Sequence, residues 1–274
     1  MKNSIIVIGG GESGVGAAYL ASKKGYNVFL SEFNTIEKKY KKILDDNQIN
    51  YEEGGHTLNK FFNANEVIKS PGVSNNSDII LKIKSKNIPV ISEIEFAFRF
   101  NNSILIGVTG SNGKTTTCSL IHHILKSSGK SVGLAGNIGN SFSFLTAENN
   151  FEYVVLELSS FQLDDVIDFN PFISIITNLT PDHLERYDSS FQNYVNSKFK
   201  IISNHSSSDY FIYNNDDDKI NSEISNRNIK SIKIPFSFTN SSQDNLTYVE
   251  NNNINSNINN TNFMIPIENL SIKG

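Results

Sequence analysis

Twice in this chain a short apolar run breaks into a glycine-rich turn and then continues as a helix-forming stretch. The first case is Ile5-Ile6-Val7-Ile8, followed by Gly9-Gly10-Gly11-Glu12-Ser13-Gly14 and by residues 15–24, which end at Gly25. The second is the run 103–109, followed by Gly110-Ser111-Asn112-Gly113-Lys114-Thr115-Thr116 and by residues 117–128. A run that is apolar without alternation is buried on both faces, which is the habit of a parallel strand. Further runs at 27–30, 66–69 and 88–91 extend the first unit, and runs at 153–158, 172–177 and 209–213 extend the second. Strands alternating with helices predict an α/β protein whose parallel sheets are covered by helices. The expected division is a Rossmann-like parallel-sheet domain over residues 1–94 and a P-loop-type α/β domain over residues 95–274. The stretch 240–262 is crowded with Asn and Ser, residues that favour turns, and reads as loops or irregular β-hairpins.

Composition narrows the partners. A formal net charge of −4 argues against a polyanion binder, so no nucleic acid is expected, although a local phosphate site is compatible. Cys118 is the lone cysteine, which rules out an intrachain disulfide and suits a reducing compartment. The apolar run after Met1 is too short for a signal peptide, and no run approaches the ~20 residues of a membrane span. The expectation is a soluble, cytoplasmic monomer without membrane insertion.

The first loop fits G-x-G-x-x-G at Gly9, Gly11 and Gly14 in the required strand–turn–helix context. Bare backbone there can approach a diphosphate, and the helix N-terminus favours its charge. Glu32 ends the second strand, where an acidic group commonly meets a ribose or base. Alone, this pattern suggests a nicotinamide enzyme; the bland reading is a tight structural turn. The second loop misses the strict G-x-x-x-x-G-K-[ST] pattern, because Val108 holds the first glycine position. What remains, Gly113-Lys114-Thr115 between strand and helix, can still cradle phosphates. Lys114 can reach the β and γ groups, and the Thr115 hydroxyl can ligate Mg²⁺. Glu157 sits at a strand tip, facing the ligand crevice of a parallel sheet, and offers the oxygen that Mg²⁺ prefers. Strand-end glutamates are also often merely solvated. His183 follows Thr180-Pro181-Asp182 at another strand end; a lone histidine is usually structural, and its position adds weight. Lys198 and Lys200 read by default as solvated helix charges.

Taken together these motifs resemble a family. The stretch Thr109-Gly110-Ser111-Asn112-Gly113-Lys114-Thr115 looks like the variant phosphate loop of the Mur ligases and their folylpolyglutamate synthetase relatives. Asn178-Leu179-Thr180-Pro181-Asp182-His183-Leu184 resembles their second signature. Ser70-Pro71-Gly72-Val73, Gly136-Asn137-Ile138-Gly139 and Glu157-Leu158-Ser159-Ser160-Phe161-Gln162-Leu163 resemble the D-glutamate-adding members. The similarity runs from residue 5 to about residue 215 and weakens beyond.

The resemblance implies that ATP phosphorylates the carboxylate of UDP-N-acetylmuramoyl-L-alanine and that the amine of D-glutamate then displaces phosphate. It implies that Gly110, Ser111, Asn112, Gly113, Lys114, Thr115 and Thr116 bind ATP. Thr115 and Glu157 would hold one Mg²⁺ and His183 a second. It turns the first glycine loop into a site for the UDP part of the substrate, with Gly11, Glu12, Ser13 and Gly14 at the diphosphate, Glu32 toward the uridine, and Ser70, Pro71 and Gly72 lining the same crevice. Asn137, Ser159 and Gln162 would position the muramoyl-alanine. Lys198 matches a lysine that becomes a carbamate and joins His183 at the second Mg²⁺. Lys200 stands two residues away as the alternative, and on a helix only one of the two should face the site. The family's third, D-glutamate-binding domain is expected to be absent, with Leu270-Ser271-Ile272-Lys273-Gly274 just before it, so that the chain alone should not complete ligation. The rival readings are another amino-acid ligase of the superfamily, a nucleotide-binding module without turnover, and, more distantly, an NAD oxidoreductase.

Overall fold

A computed structural model describes residues 3–239, 246–258 and 261–270. The first layer is built from β1 (Ser4–Ile8), α1 (Glu12–Lys23), β2 (Asn27–Ser31), α2 (Lys38–Asp46), β3 (Asn50–Glu52), α3 (Leu58–Phe61), β4 (Glu66–Lys69), α4 (Asp78–Lys84) and β5 (Val90–Ser92). Its five strands are all parallel, in the order β3-β2-β1-β4-β5. Helix α5 (Glu93–Phe98) then carries the chain across to the second sheet, so position 94 lies inside a helix.

The second layer comprises β6 (Ile104–Thr109), α6 (Lys114–Ser127), β7 (Val132–Gly136), α7 (Phe142–Glu148), β8 (Tyr153–Glu157), α8 (Ser160–Leu163), β9 (Ile173–Ile176), α9 (Phe191–Phe199), β10 (Tyr210–Asn214), α10 (Asp218–Asn226), β11 (Ile232–Ser237), β12 (Thr247–Glu250), β13 (Asn253–Ile258) and β14 (Thr261–Pro266). The sheet order is β14-β13-β12-β11-β10-β9-β6-β8-β7, parallel from β7 to β12 and antiparallel over the last three strands. Parts of the Asn-rich stretch are therefore regular antiparallel strands; residues 240–245 and 259–260 lie outside the described residues, as do 271–274.

Both glycine loops contribute more to helix than their composition suggests. Helix α1 starts at Glu12 and α6 at Lys114, each within what reads as turn. For α1 the cause is close packing. A Cβ on Gly14 would stand 1.9 Å from the Gly9 carbonyl oxygen, so bare backbone lets the first helical turn press against the end of β1. The central strands β1, β4, β6 and β8 bury nearly every residue, as parallel strands covered on both faces must.

The two layers meet along a polar seam. Lys69 of β4 pairs with Asp165 at 3.0 Å, both nearly fully buried. The Glu95 carboxylate of α5 accepts from the backbone N–H groups of Ile167, Asp168 and Phe169. Glu93 accepts from the Ser143 N–H, while its second oxygen is buried without a partner. Burial raises the Glu93 carboxyl from the usual 4.5 to about 7. A raised acid pKa means that the folded state holds the proton better than the unfolded chain. Its contribution is thus full below about pH 4.5 and is lost as pH climbs toward about 7. Glu93→Gln keeps the acceptor for Ser143 and removes the titration. Urea denaturation at pH 5 and pH 8 should show a smaller stability loss on alkalinisation in Glu93→Gln than in the parent, by up to about 3 kcal/mol. An identical pH slope in the two proteins would contradict this origin.

Candidate active site

In an open parallel sheet, ligands bind beyond the carboxyl ends of strands where the strand order reverses. In the first sheet that point lies between β1 and β4. The Gly9 loop follows β1, Glu32 follows β2, and Ser70-Pro71-Gly72 follows β4. Together they line a crevice of about 830 Å³, with Glu12, Ser13, His56 and Lys82 also on its wall. Ser70 Oγ is buried there without a hydrogen-bond partner, packed against the glycine loop, where a Cβ on Gly9 or Gly14 would stand 2.6 or 2.7 Å from it. Glu32 has a structural part as well. Its carboxylate accepts from the Gly10 N–H at 2.6 Å and the Asn34 N–H at 2.7 Å, so it shapes the glycine loop it borders. Glu12 lines the crevice, and its carboxylate accepts from the Ser141 N–H of the second layer at 2.9 Å.

The second site is built around β6. Gly110 and Gly113 both take positive φ, which turns the backbone from strand into α6. Lys114 folds over the loop, its Nζ donating to the Gly110 carbonyl at 2.9 Å and the Ser111 carbonyl at 2.8 Å. Two of its three donors are used; the third is free for a phosphate oxygen. The Ser111 hydroxyl is occupied by the Thr180 backbone and the Tyr194 hydroxyl, and the Asn112 N–H by the Asn178 side chain. These bonds tie the loop to the segment after β9. Glu157, at the tip of β8, is 1% exposed and accepts from Thr115 Oγ1 at 2.7 Å and Asn137 Nδ2 at 2.8 Å.

A second crevice, of about 360 Å³, lies between the layers. Lys114, Asn137, Ser159, Asp182, His183, Arg186, Tyr194 and Lys198 face Pro71 and Gly72 across it. Lys198 projects from α9, is 2% exposed, and donates to the same Gly110 carbonyl as Lys114, at 2.8 Å. Burial first, and the Lys114 charge second, lower the Lys198 ammonium from 10.5 to about 7. Lys200 points elsewhere, donating to the Asp164 carbonyl. Of the two lysines, then, Lys198 faces the site. His183 takes positive φ and lies half open to solvent with its ring against Phe161.

Some expected site residues are occupied by the protein itself. Gln162 is absent from the crevice wall; its side-chain oxygen accepts from the Ser159 N–H and hydroxyl, closing a capping box at the start of α8. The S-x-x-Q spacing announces that cap in the sequence. Two residues escape sequence reasoning. Arg186 lies over the Phe161 ring and donates to the Pro71 carbonyl at 2.9 Å, bridging the layers at the crevice mouth. Tyr194 lies under Lys198, its ring centre 4.6 Å from Nζ. Neither stands in a glycine loop or at a strand tip, so no local signal marks it.

Oxygen donors at Thr115 and Glu157, side by side and both neutral or anionic, suit a hard divalent cation. Among the described residues no three His, Cys, Asp or Glu side chains converge to hold a metal.

A glycine-lysine loop at the end of one sheet and a Rossmann-type crevice at the end of the other mark a two-sheet α/β protein. Residues 108–273 match the Mur ligase middle domain and residues 4–79 the MurD N-terminal domain, and the chain belongs to the Mur ligase family. It is 48% identical over its whole length to the UDP-N-acetylmuramoylalanine–D-glutamate ligase of Christiangramia forsetii, spanning 61% of that relative. It is 50% identical over 85% of its length to the like-named ligase of Bacteroides thetaiotaomicron, spanning 52% of it. Among solved structures, the UDP-N-acetylmuramate:L-alanyl-gamma-D-glutamyl-meso-diaminopimelate ligase from Neisseria meningitides is similar, with a TM-score of 0.63, 16% identity, and coverage of 97% of this chain and 87% of that one. A murein peptide ligase from Psychrobacter arcticus gives a TM-score of 0.61 at 17% identity, covering 99% of this chain and 62% of that one. These two likenesses bear on the fold.

The glycine geometry separates packing from binding. A methyl on Gly14 must displace the backbone of β1, so Gly14→Ala should cost on the order of 3 kcal/mol in urea denaturation. A methyl on Gly11 meets nothing within 4 Å and projects into open space, so Gly11→Ala should cost less than about 1 kcal/mol. It should nevertheless weaken binding of a diphosphate-bearing nucleotide at least tenfold, read by calorimetry. Equal stability of the two variants would contradict the packing role given to Gly14.

Proposed function

We propose that this chain supplies the UDP-substrate and ATP sites of a ligase that adds D-glutamate to UDP-N-acetylmuramoyl-L-alanine, in peptidoglycan precursor synthesis. The observation that carries this reading is that Pro71 and Gly72 line both crevices. A long substrate anchored by its nucleotide at the first glycine loop would lay its far end, a carboxylate, beside Lys114 and Lys198.

That carboxylate needs a better leaving group before an amine can displace it. In the proposed reaction its oxygen bonds to the γ-phosphorus of ATP as the bond to ADP breaks. The D-glutamate amine then attacks the acyl carbon, the C–N bond forms, the amine loses a proton and phosphate departs. Little in phosphoryl transfer is covalent chemistry by the protein; the work is positioning and charge stabilisation. Lys114 has one donor left for a transferring oxygen, and α6 presents its N-terminus behind the loop. Mg²⁺, held by Thr115 and Glu157 and at a second position by His183 and Lys198, would neutralise the phosphate charge. The buried, near-neutral Lys198 amine is suited to add CO₂, forming an N–C bond and releasing a proton. The resulting carbamate offers an anionic oxygen where an ammonium would repel the metal. Asn137 and Ser159 stand on the wall that the muramoyl-alanine would follow. Cytoplasmic action suits soluble substrates of this kind, and among the described residues no helix is long and apolar enough to cross a membrane.

Calorimetry with UDP-N-acetylmuramoyl-L-alanine and with NADH tests the assignment: the first should bind and the second should not, whereas NADH binding alone would overturn it. Lys114→Ala should weaken Mg–ATP binding at least tenfold, about 1.4 kcal/mol, with the UDP-substrate affinity retained. In ¹³C-bicarbonate buffer, NMR should detect one carbamate signal that Lys198→Ala removes and Lys200→Ala keeps. Loss of the signal in Lys200→Ala, with Lys198→Ala keeping it, would place the carbamate on Lys200 and contradict the role given to Lys198.

A further inference from the structure

The two crevices are also joined through Glu12, by hydrogen bonds at either end of the backbone turn 136–141. This residue stands in the first glycine loop and on the wall of the first crevice, yet its carboxylate accepts from the Ser141 N–H. Ser141 is buried and caps α7 through its hydroxyl, which accepts from the Phe144 N–H. The preceding turn is closed by the Gly136 N–H on the Asn140 carbonyl. Within that turn Asn137 holds Glu157 twice, by its backbone N–H on the Glu157 carbonyl at 2.8 Å and by Nδ2 on the carboxylate at 2.8 Å. The other carboxylate oxygen accepts from Thr115.

The link is tight at both ends. A Cβ on Gly16, one turn further along α1, would stand 2.2 Å from Ser141 Oγ, so α1 and the start of α7 touch directly. Glu93 grips the Ser143 N–H from the other side. Two acidic side chains, one on α1 and one on the crossing helix α5, thus clasp the start of α7.

Resting on the nucleotide assignments proposed above, we propose that Glu12 is a positioning residue that couples occupancy of the first crevice to the Thr115–Glu157 pair at the phosphate loop. The physical cause is charge. In the structure the Glu12 carboxylate rests on the Ser141 N–H, and the alternative place open to it is the crevice that the residue lines. An anionic diphosphate at the glycine loop repels the carboxylate from the crevice and populates the Ser141 bond. That bond steadies the 136–141 turn, and with it Asn137 and the orientation of Glu157. A ligand shifts an equilibrium by its differential affinity for the two arrangements, and the effect is reciprocal: the nucleotide at the phosphate loop must tighten the first crevice by the same factor.

The test measures the dissociation constant of Mg²⁺ with a non-hydrolysable ATP analogue, with and without saturating uridine 5′-diphosphate, on this chain. The expected ratio is about fivefold tighter binding with the diphosphate present. Glu12→Ala should bring that ratio to one, whatever it does to either affinity alone. Glu12→Gln, whose amide oxygen can still accept the Ser141 N–H, should retain part of the ratio with less sensitivity to the ligand's charge. Amide hydrogen exchange at Ser141 should slow when the diphosphate binds the parent and not when it binds Glu12→Ala. Both ligands binding the parent with a ratio of one, or a ratio that survives Glu12→Ala, would overturn the coupling and leave the nucleotide assignments standing. A diphosphate that fails to bind the parent at all would overturn those assignments and the coupling with them.

Discussion

A single buried carboxylate organises the second site. Glu157 sits at the end of a strand with almost no exposure, and an anion so placed must be compensated or it destabilises the fold. Its two donors, the Thr115 hydroxyl and the Asn137 amide, are neutral. Each fills one acceptor site on one of the two carboxylate oxygens, and neither cancels the charge. The protein therefore holds a pre-formed negative site against the phosphate loop, with Lys114 across the loop and Lys198 below it. A divalent cation arriving with ATP would complete the charge balance that the side chains leave open.

Topology explains why this site faces the first crevice. Each layer places its ligand loops beyond the carboxyl ends of its parallel strands, and α5 with the 165–169 segment sets the two ends against each other. The buried Lys69–Asp165 pair and the Arg186 bridge fasten the same seam from β4 and from the segment after β9. Buried charge of this kind adds little net stability over apolar packing, but it fixes one geometry. For the proposed substrate, which would reach from one crevice to the other, geometry is what matters.

The sequence reveals much of this and conceals the rest for identifiable reasons. Ile5 to Ile8 and the run ending at Thr109 are unmistakable because both faces of the strand are covered. Strand β7 reads Val132-Gly133-Leu134-Ala135-Gly136, too short and glycine-rich to carry a period, and it passes unnoticed. Strands β12, β13 and β14 read in the sequence only as loops or irregular β-hairpins, because their pairing, not their Asn- and Ser-rich composition, makes them regular strands. Lys114, Glu157 and Thr115 are legible from loop and strand-tip position. Lys198 becomes distinct from Lys200 only when α9 is packed, since burial and the charge of Lys114 are tertiary facts. Gln162 and Glu12 illustrate the opposite case: polar residues in ligand-binding motifs whose side chains are engaged by the protein.

The central claim is that one molecule spans both crevices with its carboxylate at the phosphate loop. A crystal structure of this chain with UDP-N-acetylmuramoyl-L-alanine, a non-hydrolysable ATP analogue and Mg²⁺ tests it most directly. The account predicts the diphosphate at the Gly9–Gly14 loop, the chain of the substrate passing Pro71 and Gly72, and its carboxylate between Lys114 and Lys198, facing the γ-phosphate. A uridine nucleotide bound elsewhere, or a carboxylate turned away from the phosphate loop, would contradict it.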